Sequence, residues 1–212
     1  MSPRRIPRQR RVAMSAARME AFSDGVFSIA ATLLVLDIAL HPPGSPLEQL
    51  RSAWPAYFGY LVSFLTIGAA WLAHSAMTDR LKGADSLLLR INLVLLLVIA
   101  FLPFPTKEVA EALHDASGER VFVTVYGLTL LTIRLLGFAL DAYARHEHLY
   151  DIGPAGEELQ TERRDIWAIA AAYVIAIAIG LVLPILAVAL YFAVAMFLVL
   201  PWRDLRLVFR RS

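Results

Sequence analysis

The 212-residue sequence contains no cysteine, and only 18% of its residues are charged. The absence of cysteine excludes a disulfide framework, a thiolate zinc site and a cysteine nucleophile. An ordinary soluble domain is about a quarter charged and about half apolar. This chain has fewer charged residues than that, and 58% of it is hydrophobic. Because the apolar residues fall in long blocks, the sequence predicts an all-α membrane protein rather than a soluble enzyme.

Catalytic motifs are also missing from the sequence. It has no His-Glu-x-x-His segment, no Gly-x-Ser-x-Gly segment and no glycine-rich phosphate loop. The His146-Glu147-His148 run is a weak metal motif, because side chains two positions apart on a helix diverge. We therefore expect no enzymatic activity, no resident metal and no cofactor.

The apolar blocks set the number of membrane spans. A membrane-crossing helix needs roughly 20 apolar residues, and the blocks cover residues 21–40, 54–77, 87–104, 120–142 and 166–202. The third block is predicted to end at Pro103 and Pro105. The last block is too long for one crossing, and a turn at Gly180 and Pro184 would divide it into two short spans. The sequence thus predicts six transmembrane helices.

The basic residues give an independent test of this count. Six spans place 15 of the 20 arginines and lysines on one side of the membrane. They are Arg4, Arg5, Arg8, Arg10, Arg11, Arg18, Arg80, Lys82, Arg145, Arg163, Arg164, Arg203, Arg206, Arg210 and Arg211. Only Arg51, Lys107 and Arg120 fall on the other side, with Arg90 and Arg134 in or near the membrane. Both termini are therefore predicted to be cytoplasmic, in a multi-pass protein of the cell membrane.

The arginine-rich start is interpreted as an orientation signal before a retained first helix. Basic segments of this kind bind anionic lipid, and nucleic-acid binding is not expected because residues 1–18 contain no aromatic side chain for base stacking. The predicted organisation is a basic tail over residues 1–19, a six-helix domain over 20–203 and a second basic tail over 204–212.

Ionisable residues in the apolar blocks need a partner or a wet surface. Arg18, Asp24, His74 and Arg90 would lie at similar depth, so we expect one ionic cluster that ties three helices together. A structural tie is favoured over proton transport, although His74 is the one intramembrane residue type here whose reference pKa lies near neutrality. Two further ionisable residues receive structural interpretations: Asp37 as an interfacial helix cap, and Arg134 as a partner of Asp141 or a snorkelling side chain.

The first apolar block carries a stripe about 100° wide on a helix. The stripe consists of Phe22, Gly25, Ile29, Thr32, Leu33 and Leu36. The opposite face is apolar too, so periodicity alone does not show which side would face a pore. The residues by themselves indicate a polytopic channel or transporter of unknown substrate.

Three segments resemble a known family. Arg18 is followed by Phe22, Ser23 and Asp24 in an Arg-x-x-x-Phe-Ser-Asp pattern. The second block holds Trp71-Leu72-Ala73-His74, and the third runs from Arg90-Ile91-Asn92 to Phe101-Leu102-Pro103-Phe104-Pro105-Thr106. These segments resemble the endosomal and lysosomal potassium channel family (transmembrane protein 175) and its bacterial single-repeat relatives.

The resemblance implies a passive potassium channel without a Thr-Val-Gly-Tyr-Gly filter. It implies a homotetramer in which the first helix of each subunit lines the pore, with modest selectivity over sodium. The implied constriction is formed by Ile29, Leu33 and Leu36, and Thr32 and Ser28 supply polar layers. The network that holds the first helix would comprise Arg18, Phe22, Ser23, Asp24, Trp71 and His74.

Two other functions remain open from the sequence. The first is a proton leak or a proton-coupled transporter that uses Asp24, His74 and Asp37. The second is an accessory subunit that conducts nothing alone. The permeant ion, potassium in the leading interpretation, is the only ligand expected.

Overall fold

A computed structural model describes residues 14–38, 44–115, 118–151 and 158–200 of the chain. Their regular secondary structure is helical, apart from two isolated backbone bridges. The helices are α1 Ala16–Leu33, α2 Pro46–Ser52, α3 Trp54–Thr78, α4 Ser86–Phe101, α5 Pro103–Asp115, α6 Glu119–His146, α7 Glu158–Gly180 and α8 Pro184–Val199. A 3-10 turn over Leu34–Asp37 extends α1. The predicted all-α class is confirmed.

Four helical segments in the described part of the chain are long and apolar enough to cross a membrane. They are Ala16–Asp37, Trp54–Thr78, Ser86–Leu113 and Glu119–His146. Two shorter apolar helices, Trp167–Gly180 and Pro184–Val199, follow them. The chain is therefore a multi-pass helical membrane protein, and the second span ends within one residue of its predicted limit.

The predicted end of the third span is wrong. Helix α4 ends at Phe101 and α5 begins at Pro103, so only Leu102 separates them. Pro103 and Pro105 lie in the first turn of α5, where a missing N–H removes no intrahelical hydrogen bond. Proline therefore starts a new helix here, and the apolar segment continues to Leu113.

The first helix begins earlier than predicted. Helix α1 starts at Ala16 instead of residue 21, so Arg18 belongs to its first turn. The described part of the predicted first span ends at Ile38, since residues 39–43 lie outside the described residues. Residues 1–13 of the first predicted basic tail and all of the second tail, residues 204–212, also lie outside them.

The predicted division of the last apolar block is confirmed. Helix α7 ends at Gly180 and α8 begins at Pro184, with a turn in which Leu183 N donates to Ile179 O at 2.8 Å. A Cβ atom at Gly180 would lie 3.1 Å from Ala187 Cβ, so glycine permits the close approach of the two helices. Helices α7 and α8 pack against each other as a hairpin.

The packing of the bundle positions α1. Helix α1 packs against α3 and α4, while α3 also contacts α5 and α8, and α6 contacts α4, α5 and α7. At the N-terminal end of α1, Met14 N donates to Ala84 O at 3.2 Å and Ala84 N returns a bond to Met14 O at 3.0 Å. The loop between α3 and α4 thereby holds the start of α1.

Candidate functional site

Helix α1 has one face packed inside the subunit. Its buried side chains are Met19, Ser23, Phe27, Ala30 and Leu34. Their spacing of three or four residues places them on one side of the helix. This side contacts α3 and α4, which fixes the rotation of α1 about its axis.

The predicted stripe occupies the other face. Phe22, Gly25, Ile29, Thr32, Leu33 and Leu36 are all exposed in the single chain, as is Ser28. Ile29 is 61% exposed and Leu36 is 74% exposed, and the described part of the chain does not cover this face. The structure thus distinguishes the two apolar faces of α1, one of which is buried and the other exposed, although the sequence periodicity could not.

The Thr32 hydroxyl on the exposed face is oriented by its own helix. Its Oγ1 atom donates to Ser28 O at 3.0 Å and Ile29 O at 2.9 Å. Because the hydroxyl proton points to these carbonyl groups, the lone pairs of the oxygen remain available on the exposed side. A hydroxyl held in this way is an acceptor, which suits a cation.

A chain of neutral hydrogen bonds joins α1, α4 and α3 behind that face. Ser23 Oγ donates to Met19 O at 2.8 Å and accepts from Asn92 Nδ2 at 3.0 Å. The Oδ1 atom of Asn92 therefore faces His74 Nε2, which lies 2.8 Å away. With the amide oxygen as acceptor, His74 carries its proton on Nε2.

His74 is enclosed by the bundle. Only 4% of its surface is exposed, and its ring centroid lies 5.5 Å from that of Phe27 on α1. Its Nδ1 atom is buried and has no hydrogen-bond partner among the described residues. This environment favours the neutral imidazole as a hydrogen-bonding spacer between helices.

A second polar link joins α3 to α1 closer to the surface. Trp71 Nε1 donates to Asp24 Oδ1 at 2.9 Å, and the indole is partly exposed. Ser23 and Asp24 are adjacent, so neighbouring residues of α1 are bound by two different helices. The structure therefore brings together four of the residues assigned to the network: Ser23, Asp24, Trp71 and His74.

The predicted ionic cluster does not form within the chain. Arg18 and Arg90 have exposed side chains with no ion-pair partner among residues 14–38, 44–115, 118–151 and 158–200. Asn92, two residues after Arg90, makes the helix-to-helix connection that the sequence analysis assigned to charges. A buried link between neutral groups avoids the cost of taking ions out of water.

A further polar network lies deeper in the bundle, and the sequence analysis missed it. Ser63 Oγ lies 2.7 Å from both Thr106 Oγ1 and Tyr126 Oη. All three side chains are buried, and they join α3, α5 and α6. Hydroxyl residues in apolar helices often form hydrogen bonds between helices. The sequence does not show which of these residues face a neighbouring helix.

The Arg134–Asp141 pairing is also wrong. Asp141 instead binds Arg145 Nε at 2.8 Å and Tyr150 Oη at 2.5 Å. Residues four apart are neighbours on a helix surface, whereas residues seven apart are separated by about 10 Å along the axis. Burial raises the pKa of the Tyr150 hydroxyl, which therefore stays protonated and donates to Asp141.

Metal-ligating side chains do not converge in the described ranges, where no group of three or more His, Asp or Glu residues is placed to hold an ion. His146 ends α6 and contacts Glu147 at 3.2 Å, while His148 lies beyond the helix with a φ of 54°. The chemistry that this part of the chain offers is an exposed apolar helix face with a hydroxyl layer.

These features define a multi-pass helical membrane protein whose first helix is held by polar contacts and exposes an apolar face. The family model for the endosomal/lysosomal potassium channel TMEM175 matches residues 18–103, which include most of α1 and all of α3 and α4. A protein named potassium channel in Streptomyces collinus is 41% identical over 138 residues, covering 63% of this chain and 67% of that protein. Another so named, from Chamaesiphon minutus, is 38% identical over 125 residues, covering 56% and 61%.

A solved structure supports the same relationship over more of the chain. The crystal structure of a lysosomal potassium-selective channel TMEM175 homologue from Chamaesiphon minutus has a TM-score of 0.74 and 30% identity, covering 86% of this chain and 95% of that one. The chain belongs to the TMEM175 potassium channel family. It is therefore a cation channel protein and not an enzyme.

Proposed function

We propose that the chain is one subunit of a homotetrameric potassium channel in which four α1 helices surround the pore. The observation that carries this proposal is the exposed stripe on α1, which lies opposite a face already packed in the subunit. In the tetramer, the neighbouring subunits would cover the two flanks of this stripe. The centre of the stripe would face the pore axis.

The constriction is formed by Ile29, Leu33 and Leu36. The rise is about 1.5 Å per residue in the α-helix and about 2 Å in the 3-10 turn, so each of these positions lies about 6 Å from the next along the axis and they make successive apolar rings. A narrow apolar ring excludes ions because a dehydrated cation finds no replacement ligands there. Conduction requires a wider ring that admits a partly hydrated ion.

Thr32 and Ser28 supply polar layers within the constriction. Their positions on the exposed face, and the acceptor orientation of the Thr32 hydroxyl, support this role. Potassium sheds water at lower cost than sodium, so an apolar constriction with few oxygen ligands favours potassium modestly.

Helix α1 is held at the correct rotation by the Ser23–Asn92–His74 chain and the Trp71–Asp24 bond. Arg18 and Phe22 are exposed in the single chain and belong to the network of the assembled channel, where a neighbouring subunit provides their contacts. The network positions the pore helix and takes no part in ion binding.

Helices α7 and α8 complete six membrane crossings. Their apolar parts, Trp167–Gly180 and Pro184–Val199, are about 21 Å and 24 Å long, so they cross where the bilayer thins or with polar flanks at the interface. Six crossings put both termini on the same side of the membrane, and the excess of arginine and lysine on that side favours the cytoplasm of a cell whose plasma membrane holds the channel. There the basic tails bind anionic lipid.

The test is reconstitution of the purified protein in liposomes with potassium, sodium and proton gradients. The wild-type current should reverse towards the potassium potential, and Leu33→Ala should raise conductance and reduce selectivity over sodium. Leu97→Ala is the matched control, because Leu97 is an exposed leucine on α4, away from the stripe. Equal effects of the two substitutions on permeation would refute the pore assignment.

Proton permeation is the second candidate function. A protein of Gallus gallus named endosomal/lysosomal proton channel TMEM175 is 39% identical over 116 residues, which are 48% of this chain and 23% of that protein. Asp24, His74 and Asp37 are the ionisable residues that would serve a proton route here. A reversal potential that follows only the pH gradient would favour this function, and no current from an assembled tetramer would favour an accessory role.

A further inference from the structure

Asp37 lies where the proposed pore opens on the side opposite the N terminus. It is the last residue of the 3-10 turn and directly follows Leu36, the most exposed side chain of the stripe. The turn packs against α3 and α5, so its backbone is fixed relative to the bundle. The Asp37 carboxylate is therefore held at one end of the apolar rings.

A stabilising role does not explain this carboxylate. The carbonyl groups at the C-terminal end of a helix carry partial negative charge, so an acidic side chain there is unfavourable. Within the described residues, Asp37 also makes no side-chain hydrogen bond or ion pair. No described residue therefore forms the interfacial cap expected from the sequence, and residues 39–43, which follow Asp37 closely, lie outside the described residues.

Two charged residues of α5, the helix that packs against the turn, interact electrostatically with Asp37. Lys107 and Glu111 both act electrostatically on its carboxylate. Lys107 Nζ lies 3.7 Å from Glu111 Oε1, and both side chains are about half exposed. With one positive and two negative charges, the group has a net charge of −1 in each subunit.

We propose that Asp37, Lys107 and Glu111 form a charged outer layer that concentrates potassium at the pore mouth. Asp37 supplies the attraction and Lys107 limits it. This inference rests on the proposed tetrameric pore, in which four copies surround the mouth with a net charge of −4. Rings of acidic side chains raise the local cation concentration in this way. The layer sets the rate of ion entry and leaves selectivity to the apolar rings.

Single-channel recording with the ion supplied from the Asp37 side tests this layer. Asp37→Asn should lower the potassium conductance by about two-fold at 0.1 M salt, and the difference should largely disappear at 1 M, where the screening length falls from about 10 Å to about 3 Å. Lys107→Gln should raise the conductance at low salt. Glu119→Gln, at the start of α6, is the control and should leave it unchanged.

The outcomes separate this inference from the proposed channel. If the wild type conducts and Leu33→Ala alters permeation, an unchanged Asp37→Asn conductance at low salt overturns the charged layer alone. A decrease in Lys107→Gln also overturns it, and this variant carries the test if Asp37→Asn fails to assemble. A silent wild-type tetramer would overturn the proposed channel, and the layer with it.

Discussion

The side-chain amide of Asn92 donates to the hydroxyl of Ser23 across 3.0 Å, although the two residues are 69 positions apart in the chain. Both are almost fully buried, and the same amide accepts from His74. Asn92 thus connects the proposed pore helix to the two helices behind it. Removal of the central amide leaves the His74 ring without its hydrogen-bond partner, and Ser23 keeps only its bond to Met19 O.

Asn92→Leu is expected to destabilise the protein by about 1–3 kcal/mol, the usual cost of orphaning buried polar groups. The measurement is thermal unfolding of the purified protein in detergent. Combining Asn92→Leu with His74→Leu should recover part of this loss, because the second change removes one orphaned group. A double variant that loses the full sum of the single effects would contradict the connection described here.

A second prediction concerns the packing of α6 against the α7–α8 hairpin. A Cβ atom at Gly127 would overlap the Tyr191 hydroxyl and lie 2.7 Å from Ile177 Cγ1. Tyr191 is fully buried and donates to Val123 O at 3.3 Å, so it cannot move without losing that bond. Gly127→Ala should therefore cost about 1–3 kcal/mol through overpacking.

The same helix provides the control for Gly127. A Cβ atom at Gly137 meets nothing within 4 Å, so Gly137→Ala should be neutral or stabilise α6 by up to about 1 kcal/mol. Unfolding temperatures of the two variants in one detergent make the comparison. A Gly127→Ala variant as stable as Gly137→Ala would mean that α6 and the hairpin are less closely packed than the structure indicates.

These contacts show what the sequence could and could not predict. The depth of a residue follows from its position along an apolar block, so the limits of α3 and the turn at Gly180 and Pro184 were predictable. The rotation of a helix about its axis depends on partners elsewhere in the chain. The sequence therefore did not identify Asn92 as the link between helices.

The stripe on α1 illustrates the same limit. Periodicity grouped Ile29, Leu33 and Leu36 correctly on one side of the helix, but the opposite side was equally apolar. Phe27 and Leu34 pack inside the subunit because α3 and α4 supply a complementary surface. Proline was misjudged for a related reason, since Pro103 ends a helix or begins one according to the geometry of the residues around it.

The bond from Trp71 to Asp24 allows a positioning role to be distinguished from proton transfer. Asp24→Asn keeps an amide oxygen as acceptor for the indole N–H but removes the ionisable group. If Asp24 only positions α1, this variant should retain most of the potassium current. Trp71→Phe, which removes the donor, should lower the current or the stability of the tetramer. Trp167→Phe, at an exposed tryptophan on α7, is the control.

Proton flux in the same liposomes tests whether Asp24 transfers protons instead of only positioning α1. A proton route through Asp24 requires its carboxyl group to bind and release protons, so Asp24→Asn would abolish flux that follows a pH gradient and Trp71→Phe would not. We expect the reverse order, with Trp71→Phe the more damaging substitution, because α1 is held by a hydrogen bond that asparagine can still accept. Loss of all current in Asp24→Asn with normal assembly would show that the charge itself is required.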